Sequence, residues 1–158
     1  MSVSAKLRRF LDENAVKYVT ITHSCAYTAQ EVAESTHVPG REIAKAVIVN
    51  ADGRFLMVVL PASRRIYFDL LKAAAKANDL RLATEDEFKG LFPECEPGAM
   101  PPFGGLYGLA VLADHSLADD EDIVFNAGTH TEAVRMPYED FVRLAKPTMG
   151  NVTHVPGA

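Results

Sequence analysis

Three groups of residues in this sequence have the types and spacing to do chemistry. The first is Lys45, which stands directly before the apolar run A-V-I-V. An ammonium at the entrance of a buried strand must snorkel to water, pair with an anion, or line a pocket. The second is the string G-A-M-P-P-F-G from Gly98 to Gly104. Rigid prolines and permissive glycines can hold backbone N–H groups aimed into a cavity, which is how a developing oxyanion is stabilised. Pro101 and Pro102 carry no N–H, so the donors would come from Gly98 to Met100 or from Phe103 to Gly105. The same composition also suits a rigid crossing loop. The third is N-A-G-T-H-T, residues 126–131. Gly128 permits a tight turn, and Thr129, His130 and Thr131 supply polar groups. His130 could bind a substrate or move a proton, or it could simply stand in an exposed turn.

Other chemistry lacks a matching pattern. The chain has no G-x-S-x-G, H-E-x-x-H, Walker loop or G-x-G-x-x-G. Its two cysteines, Cys25 and Cys95, form no C-x-x-C or Cys/His cluster, so neither a metal nor another cofactor is expected. Cys25 follows His23 by two residues, which raises a thiol nucleophile, but neighbours at i and i+2 rarely face each other.

The elements that would carry these groups are legible from periodicity and caps. Ser4 caps an amphipathic helix over residues 5–14, with Leu7, Phe10 and Leu11 on one face. Residues 17–22 read as a short strand. Thr28 and Glu31 form a capping box for a second helix ending near Ser35, and Thr84 with Glu87 forms another. Two apolar strands, residues 46–50 and 55–60, flank Asp52-Gly53, a hairpin signal; their continuous apolarity predicts cover on both faces. A helix over residues 66–77 is expected to bury Ile66, Leu70 and Ala73/Ala74. Strands are expected at residues 80–83, 106–113, 123–126 and 132–136, and a last helix at 137–145 buries Phe141 and Leu144. Strands and helices do not alternate steadily, so an α+β domain with a mixed, largely antiparallel sheet is favoured over a doubly wound one.

Size and charge bound the answer further. The chain has 158 residues, 48% hydrophobic and 23% charged, which suits one globular domain rather than a disordered chain. The longest nearly apolar stretch, residues 104–113, is about half of the ~20 residues that cross a bilayer. The charged start of the chain lacks the apolar segment of a secretory signal, so a cytoplasmic location is expected. Net charge is −5, against a general nucleic-acid coat. Residues 1–81 nevertheless carry 12 Lys+Arg against 8 Asp+Glu, notably Arg54, Arg64, Arg65, Lys72, Lys76 and Arg81. A local basic face could hold a polyanion, or these charges are simply solvated.

Taken in order, the K-A-V-I-V strand, V-L-P-A-S, G-A-M-P-P-F-G and F-N-A-G-T-H-T-E-A-V-R-M resemble the YbaK/prolyl-tRNA-synthetase-associated domain family over residues ~4–147. The resemblance implies a single compact α+β domain around a strongly curved, mixed, mostly antiparallel sheet. It places the domain at residues 1–147; beyond it, proline, glycine and polar residues predict fraying, so 148–158 is expected to be a flexible tail. It also implies trans-editing: a free-standing deacylase that cleaves the ester between a wrong amino acid and the terminal adenosine of tRNA. Lys45 then matches the lysine near the ester and the 3′-terminal nucleotide. Gly98 heads the G-x-x-x-P loop, and His130 lies in the adjoining turn. Ala46, Ala99, Met100, Pro101, Pro102, Phe103, Gly128, Thr129 and Asp114 match positions around the substrate. Ala46 stands where members vary between hydroxyl and amide side chains. The implied partners are the acceptor end of mischarged aminoacyl-tRNA and an aminoacyl-tRNA synthetase. The competing function is a non-catalytic module that binds an aminoacyl-nucleotide in the same pocket.

Overall fold

A computed structural model describes residues 4–96 and 98–155. The first helix, α1 (Ala5–Glu13), is capped by Ser4 and buries Leu7 and Leu11. Strand β1 (Val19–Thr22) leads to α2 (Ala29–Thr36), where the Thr28–Glu31 capping box forms in both directions. Strands β2 (Ala44–Ala51) and β3 (Arg54–Pro61) make the expected antiparallel hairpin. Its turn places Asp52 at φ 52° and Gly53 at φ 89°, the left-handed pair that matches strand twist. The Asp52 carboxylate accepts from the N–H groups of Asn78 and Asp79, tying the turn to that later segment.

After the short β4 (Arg65–Ile66) come α3 (Phe68–Ala75), β5 (Leu80–Leu82) and the single turn α4 (Glu85–Phe88). Helix α3 starts two residues later than its periodicity predicts, because Ile66 pairs across to Thr153. Leu71 rather than Leu70 is its buried residue. The 106–113 stretch divides into a 3-10 turn, Gly104–Tyr107, and β6 (Ala110–Asp114). Strands β7 (Asp122–Asn126) and β8 (Glu132–Pro137) precede α5 (Tyr138–Ala145), which buries Phe141 and leaves Leu144 only partly covered.

Two principal sheets result. One has the order β1-β8-β7 and is antiparallel throughout. The other has five strands in the order β5-β2-β3-β6-β9, where β9 is Thr148–Gly150. Its β3-β6 and β6-β9 pairs are parallel, so the fold is the expected α+β type with mixed sheets. A lone bridge between Ile43 and Val124 joins the two sheets. Alternate residues of β2 face two separate clusters, as its unbroken apolarity predicts. Ala44 and Ile48 join the cluster around Phe103, and Val49 joins the one around Leu71.

The segment expected to be a loose tail is instead structured as far as it is described. Strand β9 extends the large sheet, and β10 (Thr153–His154) pairs with β4. Residues 156–158 lie outside the described residues. Proline, glycine and polar composition suggested fraying, but Val152 is fully buried and its N–H donates to Asp114 Oδ1 at 2.9 Å. Asp114 is itself 1% exposed. Its other oxygen accepts from the Ser116 N–H and hydroxyl and lies 3.8 Å from Arg64 Nε. Burial alone would raise this carboxyl, but the Ser116 and Val152 hydrogen bonds outweigh it and hold it below its ordinary 3.8.

Asp114→Ala should therefore strand the Val152 and Ser116 donors and lower stability by about 3 kcal/mol in urea unfolding. The depressed carboxyl contributes stability above its unfolded value. That contribution should disappear as pH falls through the lower folded value, and the variant should lack that acid-side loss.

Candidate functional site

The G-A-M-P-P-F-G loop and the G-T-H-T turn are clasped together by their backbones. The Gly128 N–H donates to the Ala99 carbonyl at 2.9 Å, and the Glu96 N–H donates to the Gly128 carbonyl at 2.8 Å. The Glu96 carboxylate then accepts from the His130 N–H at 2.9 Å. Gly128 has φ +100°, and a Cβ there would stand 3.1 Å from Ser4 Cβ, so the turn requires glycine. Gly98, at φ +83°, lies against the His130 ring, with its Cβ direction 3.6 Å from Cε1. Ala99 spends its N–H on the Glu96 carbonyl. Among the described residues, the N–H groups of Gly98 and Met100 meet no protein acceptor. These are the loop's candidate oxyanion donors.

His130 is buried, and its position is set from several sides. Its carbonyl accepts from the Ala26 N–H at 2.9 Å. Its Nδ1 lies 3.1 Å from the Ala26 carbonyl, which can only accept, so Nδ1 carries a proton. The Tyr27 ring packs on it with centroids 4.7 Å apart. Tyr27 is an exposed aromatic that sequence reasoning passed over; its only signal was its place directly before the capping box. The Cys25 side chain beside it holds its phenol above the ordinary 10.0. Cys25 thus faces Tyr27, while the His23 ring lies 2.7 Å from the Ser24 carbonyl, so the two do not form a nucleophilic dyad. Burial pushes the Cys95 thiol up, away from the reactive thiolate.

Lys45 stands on β2. It lines a cavity of about 260 Å³ with Thr28, Ala29, Gln30, Ser63, Arg64 and Arg65, and neither Gly98 nor His130 lines that cavity. Its ammonium is half-buried and, among the described residues, has no carboxylate within ion-pair distance. Burial lowers its pKa from the ordinary 10.5, and the nearby Arg65 charge lowers it further. The first turn of α2 opens into the same space, adding the positive end of a helix dipole. A cavity lined by Lys45, Arg65, the Asp114-paired Arg64 and a helix N-terminus can hold an anion. Two of the basic residues singled out in the first half, Arg64 and Arg65, are therefore at the site. Arg81 is committed to a two-pronged pair with Glu87 at 2.7 Å.

The remaining expected contact residues divide. Gly98, Ala99, Gly128 and His130 converge, with Thr129 buried in the same turn. Ala46 projects from β2 on the face opposite Lys45, toward the cluster that holds Met100 and Phe103. Phe103 is 1% exposed and sits edge-on to Phe10, Phe125 and Phe141 at 5.5–5.8 Å. Its ring anchors the core. Pro101 and Pro102 are buried and stiffen the loop. Asp114 reaches the cavity only through Arg64.

Comparison with known proteins gives consistent findings. The aminoacyl-tRNA editing domain family matches residues 23–144. The chain is similar to the multifunctional Ser/Thr-tRNA deacylase ProXp-y of Escherichia coli K12, with 27% identity over 156 residues, 92% of this chain and 90% of that protein. It is also similar to proline–tRNA ligase of Staphylococcus saprophyticus, with 33% identity over 101 residues, 64% of this chain but 18% of the ligase. Among solved structures, hypothetical protein APE2540 superposes with a TM-score of 0.83 at 19% identity, covering 94% of this chain and 99% of that one. A proposed trans-editing enzyme for prolyl tRNA synthetase superposes with a TM-score of 0.82 at 20% identity, covering 98% and 99%. These two likenesses establish the fold.

Gly128→Ala tests the clasp. The forced positive φ and the Ser4 contact should cost about 1–3 kcal/mol in thermal unfolding, with Gly105→Ala, where nothing lies within 4 Å of the added methyl, as the mild control.

Proposed function

The chain belongs to the aminoacyl-tRNA editing domain family, and from that premise we propose that it is a trans-editing deacylase, hydrolysing the ester that joins a wrong amino acid to the terminal adenosine of tRNA. The observation that carries this reading is Lys45: a half-buried ammonium without a carboxylate partner among the described residues, facing a cavity beside two arginines and a helix N-terminus. The phosphate of a terminal nucleotide satisfies that field.

With the nucleotide held by Lys45, the aminoacyl group extends past Tyr27 toward Gly98 and His130. An aminoacyl ester is already activated, so positioning and charge stabilisation matter more than a protein nucleophile. Water attacks the carbonyl carbon, and the Gly98 and Met100 N–H groups receive the oxyanion. Collapse breaks the ester C–O bond. One proton of the attacking water ends on the ribose oxygen, which becomes a hydroxyl; the other passes to solvent, and the amino acid leaves as a carboxylate. The His130 ring, standing against Gly98, borders the aminoacyl group and positions it. The mischarged acceptor end is the partner this reading requires, and the synthetase that produces the error is the natural neighbour.

Lys45→Ala should fold normally and lose on the order of 10²-fold in single-turnover hydrolysis across a panel of mischarged tRNAs. Lys45→Arg should not restore the rate, because a planar fork places its charge differently. Wild-type rates in Lys45→Ala would remove the lysine from the chemistry. Binding of aminoacyl-tRNA without hydrolysis by the unmutated protein would make the domain a carrier instead.

The same lysine predicts a pH profile. Only its protonated form attracts phosphate, and in the free protein it loses its proton below the ordinary 10.5. Binding of an uncharged acceptor-stem RNA should weaken as pH rises through that lowered value, and Lys45→Arg should show no such early decline.

A further inference from the structure

One exposed surface next to the cavity has a composition that the proposed chemistry does not use. Strand β4 pairs with β10 so that Arg65 stands opposite His154. Tyr67, two residues beyond Arg65, points to the same side, and its ring meets the His154 ring edge-on at 5.7 Å. Tyr67 is 47% exposed, yet its backbone is fixed: its N–H donates to the Val152 carbonyl at 2.8 Å. Arg65 belongs both to this face and to the lining of the Lys45 cavity, so the two surfaces are continuous. Behind them Arg64 is held by Thr153 Oγ1 at 2.6 Å and by the Asp114 carboxylate.

We propose that the Arg65–Tyr67–His154 face is a platform for single-stranded RNA, taking the unpaired nucleotides that precede the terminal one as they lead into the cavity. This rests on the reading of the cavity as the terminal-nucleotide site. Interleaved cations and exposed aromatic rings are what a single-stranded nucleic acid requires: arginine follows the phosphates while a ring stacks on a base. Tyr67 supplies the stacking face, His154 braces it, and Arg65 binds the phosphate between the stacked base and the terminal nucleotide. A duplex offers no free base face to Tyr67, so the platform selects the unpaired overhang. The acidic total charge of the chain is compatible with this, because the contact covers only a few nucleotides.

The test uses the full chain and two fluorescent RNA hairpins, one with a four-nucleotide 3′ overhang ending in CCA and one blunt. Wild-type protein should bind the overhang probe more tightly. Tyr67→Ala should weaken that binding by about 5- to 100-fold without changing the blunt probe, and Tyr67→Phe should retain it. Arg65→Ala should also weaken it and reduce the salt slope by about one. Exposure of both residues makes the variants compatible with folding, which circular dichroism would verify. Equal binding of the two probes, or unchanged overhang affinity in Tyr67→Ala, would overturn the proposal. Loss of synthetase binding in Tyr67→Ala with RNA affinity intact would overturn it in favour of a protein partner. Absence of hydrolysis by the wild type, with overhang binding still dependent on Tyr67, would overturn the deacylase reading and support the platform.

Discussion

The carboxylate of Asp114 is where the separate parts of this molecule meet. It sits at the end of β6, buried, with its charge balanced by Ser116, the Val152 N–H and Arg64. A lone buried carboxylate would be costly, so its donors must be present and well placed. That requirement draws the C-terminal segment across the sheet, and with it β10, which pairs with β4. It also fixes Arg64 at the rim of the Lys45 cavity. One structural charge thereby helps to shape a cavity that it does not itself line.

The clasp of the two glycine-bearing loops depends on backbone rather than charge. The clasp between residues 96–99 and 128–130 consists of main-chain bonds completed by the Glu96 carboxylate. Two buried prolines and the Phe103 anchor hold the loop from below. Donors fixed in this way need no reorganisation when charge develops on a bound carbonyl. The absence of a standard nucleophile motif in the sequence accords with such a design: the burden falls on placement.

Local signals in the sequence were accurate wherever one residue's chemistry decides the outcome. Ser4, Thr28 and Thr84 cap their helices, and Asp52-Gly53 turns the hairpin. The convergence of Gly98 with His130 was also legible, through the resemblance and the glycine-rich strings. What escaped were the effects of pairing partners far away in the chain. Ile66 reads as the start of a helix until Thr153 is beside it, and residues 148–154 read as a tail until Asp114 captures Val152. Phe103 lies within a loop-like string, and only the three rings around it reveal a core residue. Ala46 adjoins Lys45 in sequence, but strand alternation sends the two to opposite faces.

The lone bridge between Ile43 and Val124 has a further consequence. Lys45 belongs to the five-stranded sheet, and His130 to the turn between two strands of the three-stranded one. Under the proposed reading, an intact aminoacyl-nucleotide would span both, so its two ends would bind as a linked pair, each raising the effective concentration of the other. Cleavage of the ester would cut that linker. Each product would then keep one sheet's contacts and lose the avidity of the pair. A site divided between two sheets would thus make departure a direct result of the bond being broken.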